Sequence, residues 1–195
     1  FALIIGDVSG KGTSAAFNMS QMKGVFHSLV QLNLSPIDFL SKANSALSRC
    51  LEKNNFITTT YYTINTSLKE IHFARAGHCP TLFYSQDQGC SHFLNLKGMG
   101  LGIVRNEGYE TYLEEGYLKY QPGDVMVMYT DGIVEAKNQQ NLEFGYDKLR
   151  LLLDLYKALS AKEIKSKIVD AVYDFVGRET LPDDDYSILV IKFNA

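Results

Sequence analysis

Phe56-Ile57-Thr58-Thr59-Thr60-Tyr61-Tyr62-Thr63-Ile64-Asn65 is where the chain changes texture. Thr, Tyr and Ile crowd residues 57–65, and such side chains suit a pleated, half-buried surface, so the stretch reads as a strand. Toward the C-terminus, residues 71–74 and 81–84 follow as short β-type runs, and the segments 109–120 and 125–129 continue them. Gln121-Pro122-Gly123-Asp124 is the turn between the last two. Helical periodicity returns at Tyr146, Leu149, Leu152, Leu153 and Tyr156. Ser160-Ala161-Lys162-Glu163 is a capping box leading into Ile164, Ile168, Val172, Phe175 and Val176, and residues 187–193 close the chain as a strand.

Toward the N-terminus, Ser35-Pro36-Ile37-Asp38 marks a helix start, with a capping serine, proline in the first turn and an acid three residues on. Phe39, Leu40, Ala43, Leu47, Cys50 and Leu51 supply its apolar stripe. Met19, Met22, Phe26, Leu29 and Val30 recur at helical spacing before it, with Thr13 or Ser14 placed to cap that helix. Residues 1–5 read as a strand ending in the loop Gly6-Asp7-Val8-Ser9-Gly10-Lys11-Gly12. Strands grouped between blocks of helix, without βαβ alternation, imply an α+β fold of antiparallel sheets with helices packed outside. No repeat, low-complexity segment or linker interrupts the 195 residues, so a single domain over 1–195 is expected.

Composition narrows the function classes. A hydrophobic share of 46% and a charged share of 21% are those of a globular domain. A net charge of −3 gives no electrostatic footprint for nucleic acid or a membrane surface. No apolar run is long enough to span a bilayer. Cys50, Cys79 and Cys90 form no CxxC pair, which points to reduced thiols and a cytoplasmic setting for this domain. A membrane tether elsewhere in a longer chain stays open. The opening apolar run has neither an initiator Met nor the basic flank of a signal peptide, and reads as a strand with sequence expected upstream of it.

Aspartates sit in loops beside three strand ends: Asp7, Asp131, and the run Asp183-Asp184-Asp185. A carboxylate next to buried strand is costly to desolvate unless it is paired or holds a metal. Oxygen-only ligands at strand ends suit hard cations such as Mg²⁺ or Mn²⁺ rather than zinc or copper. Taken singly, Asp7 and Asp131 also read as turn residues and Asp183 to Asp185 as a solvated loop; spacing does not show that the three meet. Two phosphate motifs are excluded. A P-loop needs Gly where Ile5 stands and Ser or Thr where Gly12 stands. The run Gly98-Met99-Gly100-Leu101-Gly102 lacks the last glycine of a dinucleotide loop, which falls on Ile103.

Six motifs in order carry a family resemblance: Gly6-Asp7-Val8-Ser9-Gly10-Lys11-Gly12, Ala76-Gly77-His78-Cys79-Pro80, Gly100-Leu101-Gly102-Ile103, Pro122-Gly123-Asp124, Tyr129-Thr130-Asp131-Gly132-Ile133-Val134-Glu135-Ala136 and Asp184-Asp185-Tyr186-Ser187. Together they resemble the metal-dependent type-2C serine/threonine protein phosphatases, in the bacterial branch of RsbU/SpoIIE-like regulators. The resemblance implies an α-β-β-α sandwich of two antiparallel sheets flanked by helices, with a binuclear Mn²⁺ or Mg²⁺ site. Asp7 matches the carboxylate shared by both metals, Val8 a main-chain carbonyl ligand, and Asp131 and Asp184 the other acids, with Asp185 as the alternative register.

It implies hydrolysis by a water that two cations about 3.5–4 Å apart activate, with no side-chain nucleophile. Ser9 stands where eukaryotic members carry a histidine; Ser9 and Lys11 are the expected substrate-binding residues, and His78 is read as structural. The implied substrate is a phosphorylated regulatory protein of the anti-sigma-factor-antagonist type, under control of an upstream sensor domain through the helices of residues 14–53. The family has earlier strands before the first motif. Without them residues 1–5 are expected to lack a partner, an apolar edge that invites pairing with another chain, including a second copy. The competing function is a phosphatase fold that docks a partner and turns nothing over.

Overall fold

The computed structural model describes residues 1–177 and 185–194. The chain divides into two compact units, Phe1–His78 with Leu96–Lys119, and Cys79–Asn95 with Tyr120–Ala195. Each unit holds one antiparallel four-stranded sheet and a pair of helices, as the α+β reading requires.

In the first unit the sheet order is β1 (Ala2–Val8), β2 (Ile57–Asn65), β3 (Glu70–Ala76), β6 (Glu115–Lys119). Helix α2 (Pro36–Leu47) starts as its sequence dictates: Ser35 accepts from the Asp38 amide at 3.1 Å, with Pro36 in the first turn. Its stripe of Phe39, Leu40, Ala43 and Leu47 is buried with Tyr61, Ala74 and Ala76, and Phe39 stacks on Tyr61 at 3.7 Å. Cys50, expected in that stripe, is exposed because the helix ends at Leu47.

The expectations for the first strand and for the first helix are corrected in this unit. The first strand does not stop at residue 5. It runs on through Gly6, Asp7 and Val8, because these pair in register with Thr59, Thr58 and Ile57. The strand is therefore not unpartnered: β2 covers one side along seven register pairs, and only its other side has no strand among the described residues. Helix α1 (Thr13–Leu29) is capped by neither Thr13 nor Ser14. Gly12 holds the N-cap position at φ 79°, a conformation open to glycine, with no side-chain cap. Gly10, at φ 88°, shares that handedness, and nothing lies within 4 Å of where a Cβ would sit on either residue. On α1 itself, Met22 is buried but Met19 stays 53% exposed, since Asn18 takes the buried position one residue earlier.

In the second unit the order is β5 (Cys90–Leu94), β4 (Thr81–Ser85), β7 (Val125–Tyr129), β8 (Ile188–Lys192). Leu149 and Leu153 of α3 (Tyr146–Tyr156) and Ile164, Ile168 and Val172 of α4 (Ala161–Val176) pack with Val125, Val127 and Tyr129. The predicted capping box forms at both of its bonds, Ser160 with Glu163. Lys192 donates to the carbonyls of Lys157, Ala158 and Leu159 at 2.9, 3.1 and 2.7 Å, which ties the last strand to the connection between α3 and α4. Asp124, 2% exposed, accepts the amides of Gln86 and Gln121 at 2.7 and 2.8 Å, and so joins the turn before β7 to the end of β4.

Candidate metal centre

The end of β1 presents Asp7 as an exposed carboxylate. The desolvation argument for that residue therefore does not apply, and its extended backbone rather than a loop sets its direction. Gly6 before it is packed so tightly that a Cβ would strike the Thr58 carbonyl and lie 2.9 Å from Thr59 Cβ, so no side chain is accommodated beside Asp7. Thr59 adds a hydroxyl bond to the Ile5 carbonyl at 2.7 Å.

Val8 lies across from Ile57 in the register. Ile57 spends both backbone groups on Leu101: its N–H donates to Leu101 at 3.0 Å and its carbonyl accepts from Leu101 at 2.8 Å. The alternation of bonded and non-bonded pairs in an antiparallel ladder then leaves the Val8 carbonyl untaken by β2, on the side of β1 where no described strand pairs. A carboxylate and an adjacent untaken carbonyl at one strand end are the oxygen donors a hard divalent cation takes, so these residues fit Mg²⁺ or Mn²⁺. Ser9 closes the pair: its N–H donates to Phe56 at 3.0 Å and its hydroxyl accepts from the Phe56 amide at 2.8 Å, leaving the hydroxyl proton to donate elsewhere. Lys11 is exposed between Gly10 and Gly12.

His78 is buried, with Nδ1 3.1 Å from the Thr58 hydroxyl and its carbonyl bonded by Arg75. Thr58 is the register partner of Asp7, so His78 braces the strand pair from inside.

In the second unit the buried strand β7 delivers Thr130 and then Asp131, which is half-buried and opens a single 3-10 turn to Ile133. Thr130 bonds Ser187 twice, N–H to carbonyl at 3.0 Å and hydroxyl from the Ser187 amide at 2.8 Å. A Cβ on Gly132 would lie 2.6 Å from the Asp185 carbonyl and 3.2 Å from Tyr186 Cβ. Glycine there is what lets the segment entering β8 run alongside Asp131, so Asp131 and Asp185 are neighbours. Tyr186 packs edge-on to Tyr173 at 6.2 Å, and burial, with a hydrogen bond that its hydroxyl donates to that neighbour, pushes its phenol up to about 12. Asp183 and Asp184 lie outside the described residues. Among the described residues no three His, Cys, Asp or Glu side chains are grouped so as to hold a metal ion.

The family model described as stage II sporulation protein E (SpoIIE) matches residues 1–194. The chain belongs to the SpoIIE family. This SpoIIE-family chain is 28% identical over 190 residues to phosphoserine phosphatase RsbU of Bacillus subtilis, spanning 97% of the chain and 55% of RsbU. Its fold is that of the SiaA PP2C domain of Pseudomonas aeruginosa, with a TM-score of 0.81 at 17% identity, covering 99% of this chain and 75% of that one. The SpoIIE phosphatase domain with a fragment of its regulatory domain, from Bacillus subtilis, gives 0.77 at 19% identity, covering 98% and 54%. The chain thus spans about half the length of RsbU. No helix among the described residues is long and apolar enough to cross a membrane.

The residues that the motifs missed are those holding these strand ends in place. Thr58, Ile57 and Leu101 carry no functional signature, and only their bonding to the strand that bears Asp7 and Val8 identifies them.

Proposed function

We propose that this SpoIIE-family chain is a metal-dependent protein serine/threonine phosphatase acting on a phosphorylated regulatory protein, such as an anti-sigma-factor antagonist. The observation that carries the reading is the end of β1, where the exposed Asp7 carboxylate adjoins the Val8 carbonyl that Ile57 leaves untaken. The naming of RsbU as a phosphoserine phosphatase supports the same chemistry. In the first unit Asp7 and Val8 are the metal ligands; in the second they are Asp131 with Asp184, or Asp185 in the alternative register. Bound Mn²⁺ or Mg²⁺ would supply Lewis-acid activation of water and neutralise phosphoryl charge.

The chain's own residues orient the phosphate. The Ser9 hydroxyl proton and the Lys11 ammonium are donors to phosphoryl oxygens, and the first turn of α1, with no acidic residue and no capping side chain, presents backbone N–H groups that favour an anion. Gly10 and Gly12 keep that approach clear of side chains. No side chain need act as nucleophile.

Hydrolysis of p-nitrophenyl phosphate and of a phosphoserine peptide, with and without Mn²⁺, tests this. Mn²⁺-dependent turnover that Asp131→Ala abolishes is the expected result. Silence on both substrates, with no Mn²⁺ bound, would refute the phosphatase reading.

A further inference from the structure

The loop of residues 98–105 is held far more heavily than a surface connection requires. Asn44 of α2, 3% exposed, uses both ends of its carboxamide on it: Oδ1 accepts the Gly102 amide at 2.8 Å and Nδ2 donates to the Val104 carbonyl at 2.8 Å. Arg105 turns back on the same glycine, with Nε donating to the Gly102 carbonyl at 3.0 Å. Its other nitrogens bond the carbonyls of Ser48, at the end of α2, and of Leu51 and Glu52 in the segment that follows. Tyr109, buried, donates its hydroxyl to the Met99 carbonyl from the other side. Gly102 sits at φ 87° with its would-be Cβ 2.7 Å from Leu51, so the loop has no room to shift there.

Between these anchors lies Leu101, fully buried and bonded through both backbone groups to Ile57. Ile57 stands opposite Val8. A chain of bonds therefore runs from the Asn44 side chain through Gly102 and Leu101 to Ile57, whose neighbours Thr58 and Phe56 pair with Asp7 and Ser9 on either side of Val8. Leu101 therefore fixes where Ile57 sits, and with it the stretch of β2 against which Asp7, Val8 and Ser9 are laid.

We propose that Asn44 and Arg105 are positioning residues that, through Leu101 and Ile57, hold the Val8 carbonyl and Asp7 in the geometry that binds the divalent metal. This rests on the assignment of Asp7 and Val8 as ligands under Proposed function. Outer-shell partners of this kind typically change metal affinity by roughly 10- to 100-fold when removed.

The test combines Mn²⁺ titration by calorimetry with amide hydrogen exchange at residues 57 and 101, in the chain and in Asn44→Ala, Asn44→Asp, Arg105→Met, Leu40→Ala and Asp7→Ala. Arg105 is exposed, so its variant folds even where Asn44→Ala does not. Leu40→Ala removes buried packing from the same helix while leaving the hydrogen bonds of Asn44 and Arg105 to the loop in place. The expected result is a Mn²⁺ affinity about tenfold or more weaker in Asn44→Ala and Arg105→Met, with faster exchange at 57 and 101. Asn44→Asp, which keeps the acceptor for Gly102, should fall between them and the parent, and Leu40→Ala should bind Mn²⁺ as the parent does. Mn²⁺ binding that Asp7→Ala abolishes but the Asn44 and Arg105 variants leave unchanged overturns the positioning role alone. Equal weakening by Leu40→Ala also overturns it, as a general stability effect. A parent that binds no Mn²⁺, or binds it equally as Asp7→Ala, overturns the ligand assignment and the positioning role with it.

Discussion

Replacing Asp124 with alanine should destabilise the second unit by about 3 kcal/mol. The carboxylate is 2% exposed and accepts two amides, from Gln86 at 2.7 Å and Gln121 at 2.8 Å. Hydrogen bonds to a charged group each contribute about 1.5–3 kcal/mol net. Gln86 and Gln121 are exposed residues, so water can reach part of what alanine vacates, and the lower end of that range applies to both bonds. Asp124→Asn keeps one acceptor and turns its NH₂ group toward the other amide, so it should retain no more than half of the stabilisation. The main-chain bonds of Asp124, to Gln121 and to Phe193 at the end of β8, survive either change and keep the fold recognisable. For a chain of this size, about 3 kcal/mol corresponds to roughly 6–12 °C in Tm. Urea titration should be followed by hydrogen exchange of peptides covering residues 80–95 and 120–130, because two compact units need not unfold as one transition. A loss below about 1 kcal/mol in Asp124→Ala would mean that water satisfies both amides, and would refute the assignment of Asp124 as the tie between β4 and β7.

Three further outcomes follow from single contacts. Gly132→Ala should destabilise by about 1–3 kcal/mol, because its Cβ would meet the Asp185 backbone rather than a movable side chain; if Asp131 and Asp185 serve one site, phosphatase activity should fall by more than stability explains. Lys192→Met should lose about 1–3 kcal/mol with the three carbonyl bonds that hold the end of α3, read as a lowered urea midpoint and faster exchange in residues 157–160. The Glu163 carboxyl is held below its ordinary 4.5, chiefly by the Ser160 hydroxyl and then by the Ser160 amide. A lowered acid contributes stability that is full above its unfolded value and lost as pH falls through the folded one. The difference between the parent and Glu163→Gln should therefore be complete at pH 7 and shrink toward zero below pH 4.5; a gap unchanged at low pH would show that the charge is irrelevant to the cap.

Where local chemistry decides, the sequence was readable. Ser35-Pro36 and the Ser160–Glu163 box fix two helix starts, and residues 57–65 form β2 over that same span because threonine and tyrosine suit both faces of it. Strand β5 has no such signal, since Cys90-Ser91-His92 reads as polar and only Gly89, at φ 68°, marks a hairpin before it. Segment 109–120 divides, with Tyr109–Tyr112 a 3-10 turn and only Glu115–Lys119 a strand, because Tyr109 is fastened by its hydroxyl to Met99. Gly6, Asp7 and Val8 resemble a loop in composition, yet β2 pulls them into the ladder; pairing, not propensity, settles that residue by residue. For the candidate site, the motifs located Asp7 and Asp131, but nothing in the spacing could disclose that Ile57 bonds Leu101 and that the pair it forms with Val8 is a non-bonded one, with the Val8 carbonyl facing away from β2.

The loop at Gly10 and Gly12 asks of its residues only a handedness. Both φ angles are positive, and neither position has an atom within 4 Å of the place a Cβ would occupy. An L-alanine there meets no neighbour and is opposed by torsion alone, whereas a D-alanine, introduced by chemical ligation, finds its preferred angles already built. The mirror-image residue would stiffen the unfolded chain without disturbing the folded one, for a gain of about 0.4–1 kcal/mol at each site. The segment beside Asp7 is thus one in which reversing chirality strengthens the protein and conserving it weakens it.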